Sequence, residues 1–401
     1  LGKPIEVSLT ESGWLKQQLA HEETEFLRQA HIDLLVPIAV AAEHKEAVLA
    51  LGTKRSEEPY SREDQDLLVA IASSLALLLE RPGAPARASE AFQECPQCGA
   101  CYDSGATSCA QEGAALTPVF VPRLVSGRYR LERRLGRGGM GTVYEATDTA
   151  LERRVAAKLI REDLVGSAEA AERFRREARA AAGFAHPNVV TVHDFGLSGS
   201  RAFLVMELLE GVSLREELRH QGRLPAGRTR EILRGVCAAV DAAHRRQLIH
   251  RDLKPENIFL ARGESGESAK VLDFGLVKSL SGASQETADT SAGILVGTLR
   301  YMSPDQFRGE APAPAWDLWA LGVVSYELLT GQHPFGTGSG PEVHAAVLGG
   351  RFIPIVVACP DAPPAWQEFF LRALALRPEN RPQSAQAFFS ELESVLAPNA
   401  N

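Results

Sequence analysis

His250-Arg251-Asp252-Leu253-Lys254-Pro255-Glu256-Asn257 is the densest polar cluster in this chain of 401 residues. Leu248-Ile249 leads into it and Ile258-Phe259-Leu260 leads out. Polar and charged groups pinned between apolar runs must find partners, because an unpaired buried charge is costly. The cluster therefore reads as a site. Further along, Val271-Leu272-Asp273-Phe274-Gly275 places another carboxylate at the end of a short apolar strand, with glycine behind it. Asn257 and Asp273 together offer hard oxygen ligands suited to Mg²⁺.

Working back toward the N-terminus, Gly136-Arg137-Gly138-Gly139-Met140-Gly141 lies between two strand-like runs, 129–135 and 142–146. That is a hairpin turn of nearly bare backbone, which a phosphate can approach closely. Alone it fits a plain glycine turn equally well, or a dinucleotide fold, although in that fold the glycines lead into a helix. Val155-Ala156-Ala157-Lys158-Leu159 is an apolar strand carrying one lysine, and a cation there needs a partner or an anionic ligand. Glu177 is a candidate partner, in the middle of a helix predicted over 168–182 and ended by Gly183. Taken singly, each of these two is an ordinary surface charge.

The ordered set resembles the protein kinase family, specifically the eukaryotic-like serine/threonine kinases of bacteria, over residues 128–396. Glycine loop, Val-Ala-x-Lys strand, His-Arg-Asp run and Asp-Phe-Gly occur in the family's order, with Ala157 where isoleucine is usual. The resemblance implies an α+β, bilobal fold, β-rich in the N-lobe and helical in the C-lobe. It also implies that Gly136, Gly138, Gly139 and Gly141 cover the ATP phosphates, that Lys158 holds the α- and β-phosphates, and that Glu177 orients Lys158. Asp252 would act on the substrate hydroxyl, and Lys254 would neutralise the transferred phosphoryl group and mark a serine/threonine enzyme. Adenine would lie between Leu135, Val143 and Ala156 on one side and Phe259 on the other. Met206 would be the gatekeeper, with the hinge running from Glu207 to Leu209.

Later landmarks agree: Gly297-Thr298, Asp317 before an apolar helix, and Arg381 within Arg377-Pro378-Glu379-Asn380-Arg381-Pro382. One departs. The family's Ala-Pro-Glu is Ser303-Pro304-Asp305 here, so the acid expected to pair with Arg381 is one methylene short and the pair is expected to be strained. Between Asp273 and Pro304 the residues Thr287, Thr290 and Ser291 stand among small and acidic neighbours. They are the expected autophosphorylation sites, with Arg251 matching the arginine that binds the loop phosphate in the family.

Ahead of the kinase-like region, residues 1–80 contain a predicted hairpin, 34–41 with 47–51, and a helix opened by Ser61. Leu67, Leu68, Ile71, Leu75 and Leu78 share a face of that helix at helical spacing. The stretch resembles the C-terminal half of a GAF domain, carried by Leu49-Ala50-Leu51-Gly52-Thr53-Lys54 and Tyr60-Ser61-Arg62-Glu63-Asp64. Residues 81–92 read as a linker, and 93–122 as a small cysteine module. Cys95 and Cys98 with Gly99 resemble one knuckle of a zinc ribbon, and with Cys101 and Cys109 they suit tetrahedral Zn²⁺. Reduced free thiols and a redox role are the alternatives. Cys237 and Cys359, alone in apolar surroundings, read as core residues.

A formal net charge of −8 gives no support to general nucleic-acid binding. The longest apolar runs are about half the ~20 residues that a membrane span requires, and no signal peptide opens the chain, which points to the cytoplasm. The chain starts at Leu1, so upstream segments are expected to be missing. ATP and Mg²⁺ are the expected cofactors, with protein substrates and the chain itself as acceptors and a homodimer left open. A pseudokinase scaffold or a sensor/adaptor is the competing class, but Lys158, Asp252 and Asp273 are all present.

Overall fold

Two units make up the chain, residues 1–90 and 91–401. The computed structural model describes residues 5–6, 27, 32–38, 47–52, 60–79, 91–198, 201–263, 266–274 and 299–397. Thr287, Thr290, Ser291 and Gly297-Thr298 lie outside the described residues.

In the first unit β1 (Ile5–Glu6), β2 (Ile32–Ile38) and β3 (Ala47–Gly52) form an antiparallel sheet in that order, β2 and β3 being the expected hairpin. Helix α1 (Arg62–Leu79) follows. Its start is capped reciprocally: Asp64 N donates to Ser61 Oγ at 3.2 Å while Ser61 N donates to Asp64 Oδ2 at 2.8 Å. The helix face differs from expectation. Leu68, Val69 and Ala72 pack with Leu34 and Val36, whereas Leu67 and Ile71 are exposed. Successive helical residues are about 100° apart, so a helix seated on Leu68 and Ala72 turns Leu67 outward. The side chains of Leu75 and Leu78 lie outside the described residues.

The second unit opens with β4 (Phe92–Glu94), β5 (Cys101–Tyr102) and β6 (Thr117–Val119), a small sheet in the order β5-β4-β6. A six-stranded antiparallel sheet follows, made of β7 (Leu124–Val125), β8 (Tyr129–Gly138), β9 (Gly141–Asp148), β10 (Arg153–Ile160), β11 (Val192–Ser198) and β12 (Arg201–Glu207), in the order β11-β12-β10-β9-β8-β7. Helix α2 (Ala168–Ala182) leaves after β10, its N-cap Ser167 accepting from Ala170 N. Register explains the layering. Lys158 opposes Val143 and Leu204, and Ala156 opposes Met206; opposed residues share a face and their neighbours take the other. One face therefore carries Val143, Ala156, Lys158 and Met206, and the other carries Tyr144, Val155, Ala157 and Val205.

That second face is apolar, and residues 91–125 cover it. Phe92, Cys101 and Val121 share one buried cluster with Leu131, Tyr144, Ala157 and Val205, and the Phe92 ring meets Tyr144 edge-on at 6.0 Å. This corrects the expected boundary. Phe92 is 1% exposed and belongs to the N-lobe core rather than to a linker, because burying a phenylalanine there contributes about 1.5–3 kcal/mol.

The C-lobe contains a three-stranded sheet, β13 (Gly211–Ser213), β14 (Ile258–Gly263) and β15 (Gly266–Val271), and helices α3 (Leu214–Gln221), α4 (Ala226–His244), α5 (Pro304–Phe307), α6 (Pro314–Thr330), α7 (Gly340–Leu348), α8 (Ile355–Ala358), α9 (Pro364–Ala373) and α10 (Ala385–Leu396). Helix α6 is apolar around most of its circumference and buried along nearly its whole length, as the central helix of a lobe must be. Arg381 lies against it. Its guanidinium is 2.7 Å from Asp305 Oδ2, stacks over Trp319 at 5.1 Å and donates to the carbonyls of Ala375, Leu376 and Ala315. The shorter aspartate thus still reaches its partner. Removing the carboxylate would leave a buried, unpaired cation, and Asp305→Ala should cost roughly 3–5 kcal/mol in urea unfolding.

His333 is a second buried polar group in this lobe. Its Nε2 meets Arg300 O at 3.0 Å and its Nδ1 accepts from Phe335 N at 3.3 Å, which suits only the neutral ring. Burial pushes its pKa down to about 4 from 6.5. The unfolded chain then takes up this proton more readily than the folded one, so stability present above pH ~6.5 is lost as pH falls toward ~4, by about 3 kcal/mol. Urea midpoints across that window should fall less steeply in His333→Gln than in the parent.

Candidate active site

Asp317, in the first turn of α6, is fully buried and aims its carboxylate at the loop after α4. It accepts from His250 N at 2.8 Å and Arg251 N at 2.9 Å, and His244 Nε2 lies at 2.7 Å. Arg251 has φ 66°, a conformation costing of order 1–3 kcal/mol for a non-glycine residue. The paired amide bonds to one carboxylate hold it there.

From this anchor the site is built by short-range hydrogen bonds. His250 Nε2 meets Leu272 O at 2.8 Å, and Leu272 N donates to Asn257 O at 2.8 Å, which ties the end of β15 to the loop. Asp273 follows at φ 52°, and the Phe274 ring packs 4.8 Å from His250 and 5.6 Å from Phe184. Lys254 Nζ is 2.8 Å from Asp252 Oδ2, and Asn257 Nδ2 donates to Asp252 O at 2.7 Å, so the end of the Asn257 amide that could ligate a metal is its oxygen. Lys158 Nζ reaches Asp273 Oδ2 at 2.6 Å.

One expected pair is not made. Among the described residues Lys158 has no ion pair with Glu177; Glu177 Oε1 is instead 3.9 Å from an Arg251 guanidinium nitrogen. Glu177 Oε2 and Arg251 Nε are both buried without a hydrogen-bond partner. Asp273 offers the buried ammonium a closer carboxylate, and α2 holds Glu177 toward Arg251.

A cleft of about 690 Å³ is lined by Leu135, Gly136, Val143, Ala156, Lys158, Met206, Glu207, Leu209, Phe259 and Asp273, all expected from the sequence. Gly138, Gly139, Gly141 and Asn257 do not line it. Leu208, within the expected hinge, lines it too; Val190, Gly211 and Leu272 line it unexpectedly, with Arg133, Glu145, Arg154, Glu210, Glu216 and Glu256 also contributing. Strand alternation was the available signal for Glu145, which opposes Ala156 on the cleft face. For Val190 and Leu272 no local signal exists, because packing between the lobes brings them in. The glycines differ from one another. An added Cβ at Gly136 or Gly138 meets nothing within 4 Å, the open cradle that a triphosphate would need, whereas at Gly141 it would sit 2.1 Å from Leu159 O.

The cysteines divide. The sulfurs of Cys95, Cys98 and Cys109 lie within 4.8 Å of one another, but Cys101 is not with them. Its Sγ turns to Gly99 O at 3.6 Å and packs in the N-lobe core, where burial first and Glu94 second push the thiol up to about 12. Alternation along β5 sends its side chain under the sheet, so the expected set of four thiols is three. The same segment braces the glycine loop. Arg134 N donates to Gly99 O at 2.8 Å, and buried Glu94 accepts from Arg134 Nε at 2.8 Å and Tyr144 Oη at 3.1 Å.

The protein kinase domain family matches residues 129–392, and the chain belongs to that family. Among its relatives, serine/threonine-protein kinase pkn3 of Myxococcus xanthus is 39% identical over 283 residues (70% of this chain, 52% of that one). PknA of Mycobacterium tuberculosis is 38% identical over 280 residues (68% and 62%), and PrkC of Bacillus subtilis 34% over 277 (69% and 42%). The chain thus spans roughly half the length of the curated relatives it matches. A crystal structure of the Mycobacterium tuberculosis PknI kinase domain, a double mutant, shares the fold, with a TM-score of 0.56 and 24% identity over 68% of this chain and 97% of that one. No helix among the described residues is long and apolar enough to cross a membrane.

The two glycine environments predict opposite failures. Gly141→Ala should destabilise the N-lobe by about 1–3 kcal/mol through overpacking against backbone. Gly138→Ala should melt like the parent but bind ATP several-fold more weakly; equal melting temperatures for the two variants would refute the distinction.

Proposed function

We propose that this chain transfers the γ-phosphoryl group of ATP to serine or threonine hydroxyls of proteins, including its own. The observation that carries the reading is the meeting of Lys158 from β10 with Asp273 beyond β15 in the cleft, with the Leu272–Asn257 backbone bond tying that strand end to the loop that holds Asp252, Lys254 and Asn257. Relatives named serine/threonine-protein kinases support it.

Adenine fits between Val143 and Ala156 above and Phe259 below, beside Met206, with the backbone from Glu207 to Leu209 giving hinge hydrogen bonds. The Asp252 carboxylate accepts the proton of the acceptor hydroxyl as that oxygen attacks the γ-phosphorus, whose bond to the β,γ-bridging oxygen breaks and leaves that electron pair on departing ADP. Lys254, already beside Asp252, offsets charge gathering on the transferred group, and Lys158 holds the α- and β-phosphates once it exchanges Asp273 for them. Mg²⁺ held by Asn257 and Asp273 would neutralise the phosphate oxygens.

Autophosphorylation at Thr287, Thr290 or Ser291 is the proposed activating event. A phosphate on that segment would compete for Arg251, whose present neighbour Glu177 is only loosely engaged at 3.9 Å. Glu177 would then be free to orient Lys158. The cysteine segment is read as a structural zinc site, and residues 1–80 as a GAF-like sensing or homodimerising part of a cytoplasmic protein. The pseudokinase alternative is disfavoured because no member of the catalytic set is missing.

Asp252→Asn should lower kcat about 10²–10⁴-fold with ATP affinity nearly unchanged, and Lys158→Met should also inactivate. Full activity of either purified variant would overturn the assignment. Phosphatase-treated enzyme should show a lag that ATP abolishes. A Thr287/Thr290/Ser291 triple alanine should stay slow throughout.

A further inference from the structure

The cysteine segment contains an internal repeat. Cys95-Pro96-Gln97-Cys98-Gly99-Ala100 and Cys109-Ala110-Gln111-Glu112-Gly113-Ala114 agree at four of six positions. Their backbones agree as well. Gly99 N donates to Cys95 O at 3.0 Å and Cys95 N to Ala100 O at 2.9 Å; Gly113 N donates to Cys109 O at 2.9 Å and Cys109 N to Ala114 O at 2.8 Å. Gly99 and Gly113 both have positive φ, 76° and 66°. These are two copies of one turn, folded so that Cys98 Sγ and Cys109 Sγ lie 3.6 Å apart.

In the second copy Glu112 holds the place of Cys98. We propose that one Zn²⁺ is bound by the thiolates of Cys95, Cys98 and Cys109 and by the Glu112 carboxylate, with Cys101 taking no part. The inference rests on the zinc reading above and specifies its ligands. Three thiolates and one carboxylate complete the tetrahedral set that Zn²⁺ prefers, and binding releases the three thiol protons to solvent. Glu112 N already donates to Cys109 Sγ at 3.4 Å, which seats the Glu112 backbone against the sulfur cluster. Its side chain is exposed and not gathered with the sulfurs here, so the metal itself draws the carboxylate in. Cys101 is excluded by position, since its sulfur lies in the core beneath the sheet. Gly99 O accepts from Arg134 N at 2.8 Å, which ties the first knuckle to β8 while Cys101 stays in the core.

The test uses the full chain purified under reducing, chelator-free conditions, with metal measured by mass spectrometry and Co²⁺ substituted for spectroscopy. About one equivalent of zinc is expected in the parent and in Cys101→Ala, and little in Cys98→Ser or Cys109→Ser. Glu112 is exposed, so its replacement does not threaten folding. Glu112→Ala should surrender zinc to a competing chelator about tenfold or more readily. Glu112→Cys should hold it more tightly and raise the Co²⁺–thiolate charge-transfer band by about a third, from three sulfurs to four. Zinc in the parent that Glu112→Ala retains as well as the parent does would overturn the ligand assignment and leave the zinc reading standing. A parent with no metal would overturn both.

Discussion

A single buried carboxylate organises the catalytic half of this molecule. Asp317 is held in the central helix of the C-lobe, where almost every other side chain is apolar, and both its oxygens are spent on the backbone of His250 and Arg251. An ionised acceptor in a low-dielectric setting makes strong hydrogen bonds, which is what a left-handed Arg251 requires. From there the constraint passes outward: His250 to Leu272, Leu272 to Asn257, and Asn257 to Asp252. Asn188 and Val190 bond the same strand from the N-lobe side, through Val271. Charged groups that would otherwise repel or wander are thereby given fixed places on rigid elements.

Lys158 and Arg251 show how one buried and one half-buried cation share two half-buried carboxylates. Lys158 is engaged by Asp273, and Glu177 leans toward Arg251 with one oxygen and a neighbouring Arg251 nitrogen left unsatisfied. Unsatisfied buried polar atoms are costly, so this arrangement is poised for exchange. On the function proposed above, an incoming triphosphate would supply Lys158 with new anions, and a loop phosphate would supply Arg251.

The cysteine segment is part of the catalytic unit and not a bead on a string. Its Phe92, Cys101 and Val121 cover the outer face of the N-lobe sheet, and Glu94 and Gly99 grip Arg134, two residues before the first loop glycine. The knuckles are thereby tied to the strand that leads into the glycine turn.

Most of the nucleotide cleft could be expected from the chain alone through its resemblance to protein kinases, which marks Leu135, Val143, Ala156, Lys158 and Met206; the strand register then sets Val143, Ala156, Lys158 and Met206 on one face. The glycine loop, the polar cluster at 250–257 and the carboxylate at Asp273 were equally local signals. So was the cap at Ser61. What the chain could not disclose were choices among partners distant in sequence. Lys158 and Asp273 are 115 residues apart, and whether that carboxylate or Glu177 meets the lysine depends on how α2 docks. Cys101 has the same composition and neighbourhood as the other thiols, yet its alternation in β5 sends it under the sheet. Phe92 looked like linker until the apolar face of β8, β9 and β10 was seen to need a cover. Local order determines which groups are offered; packing decides which of them meet, because burial makes only a few of the possible pairings affordable.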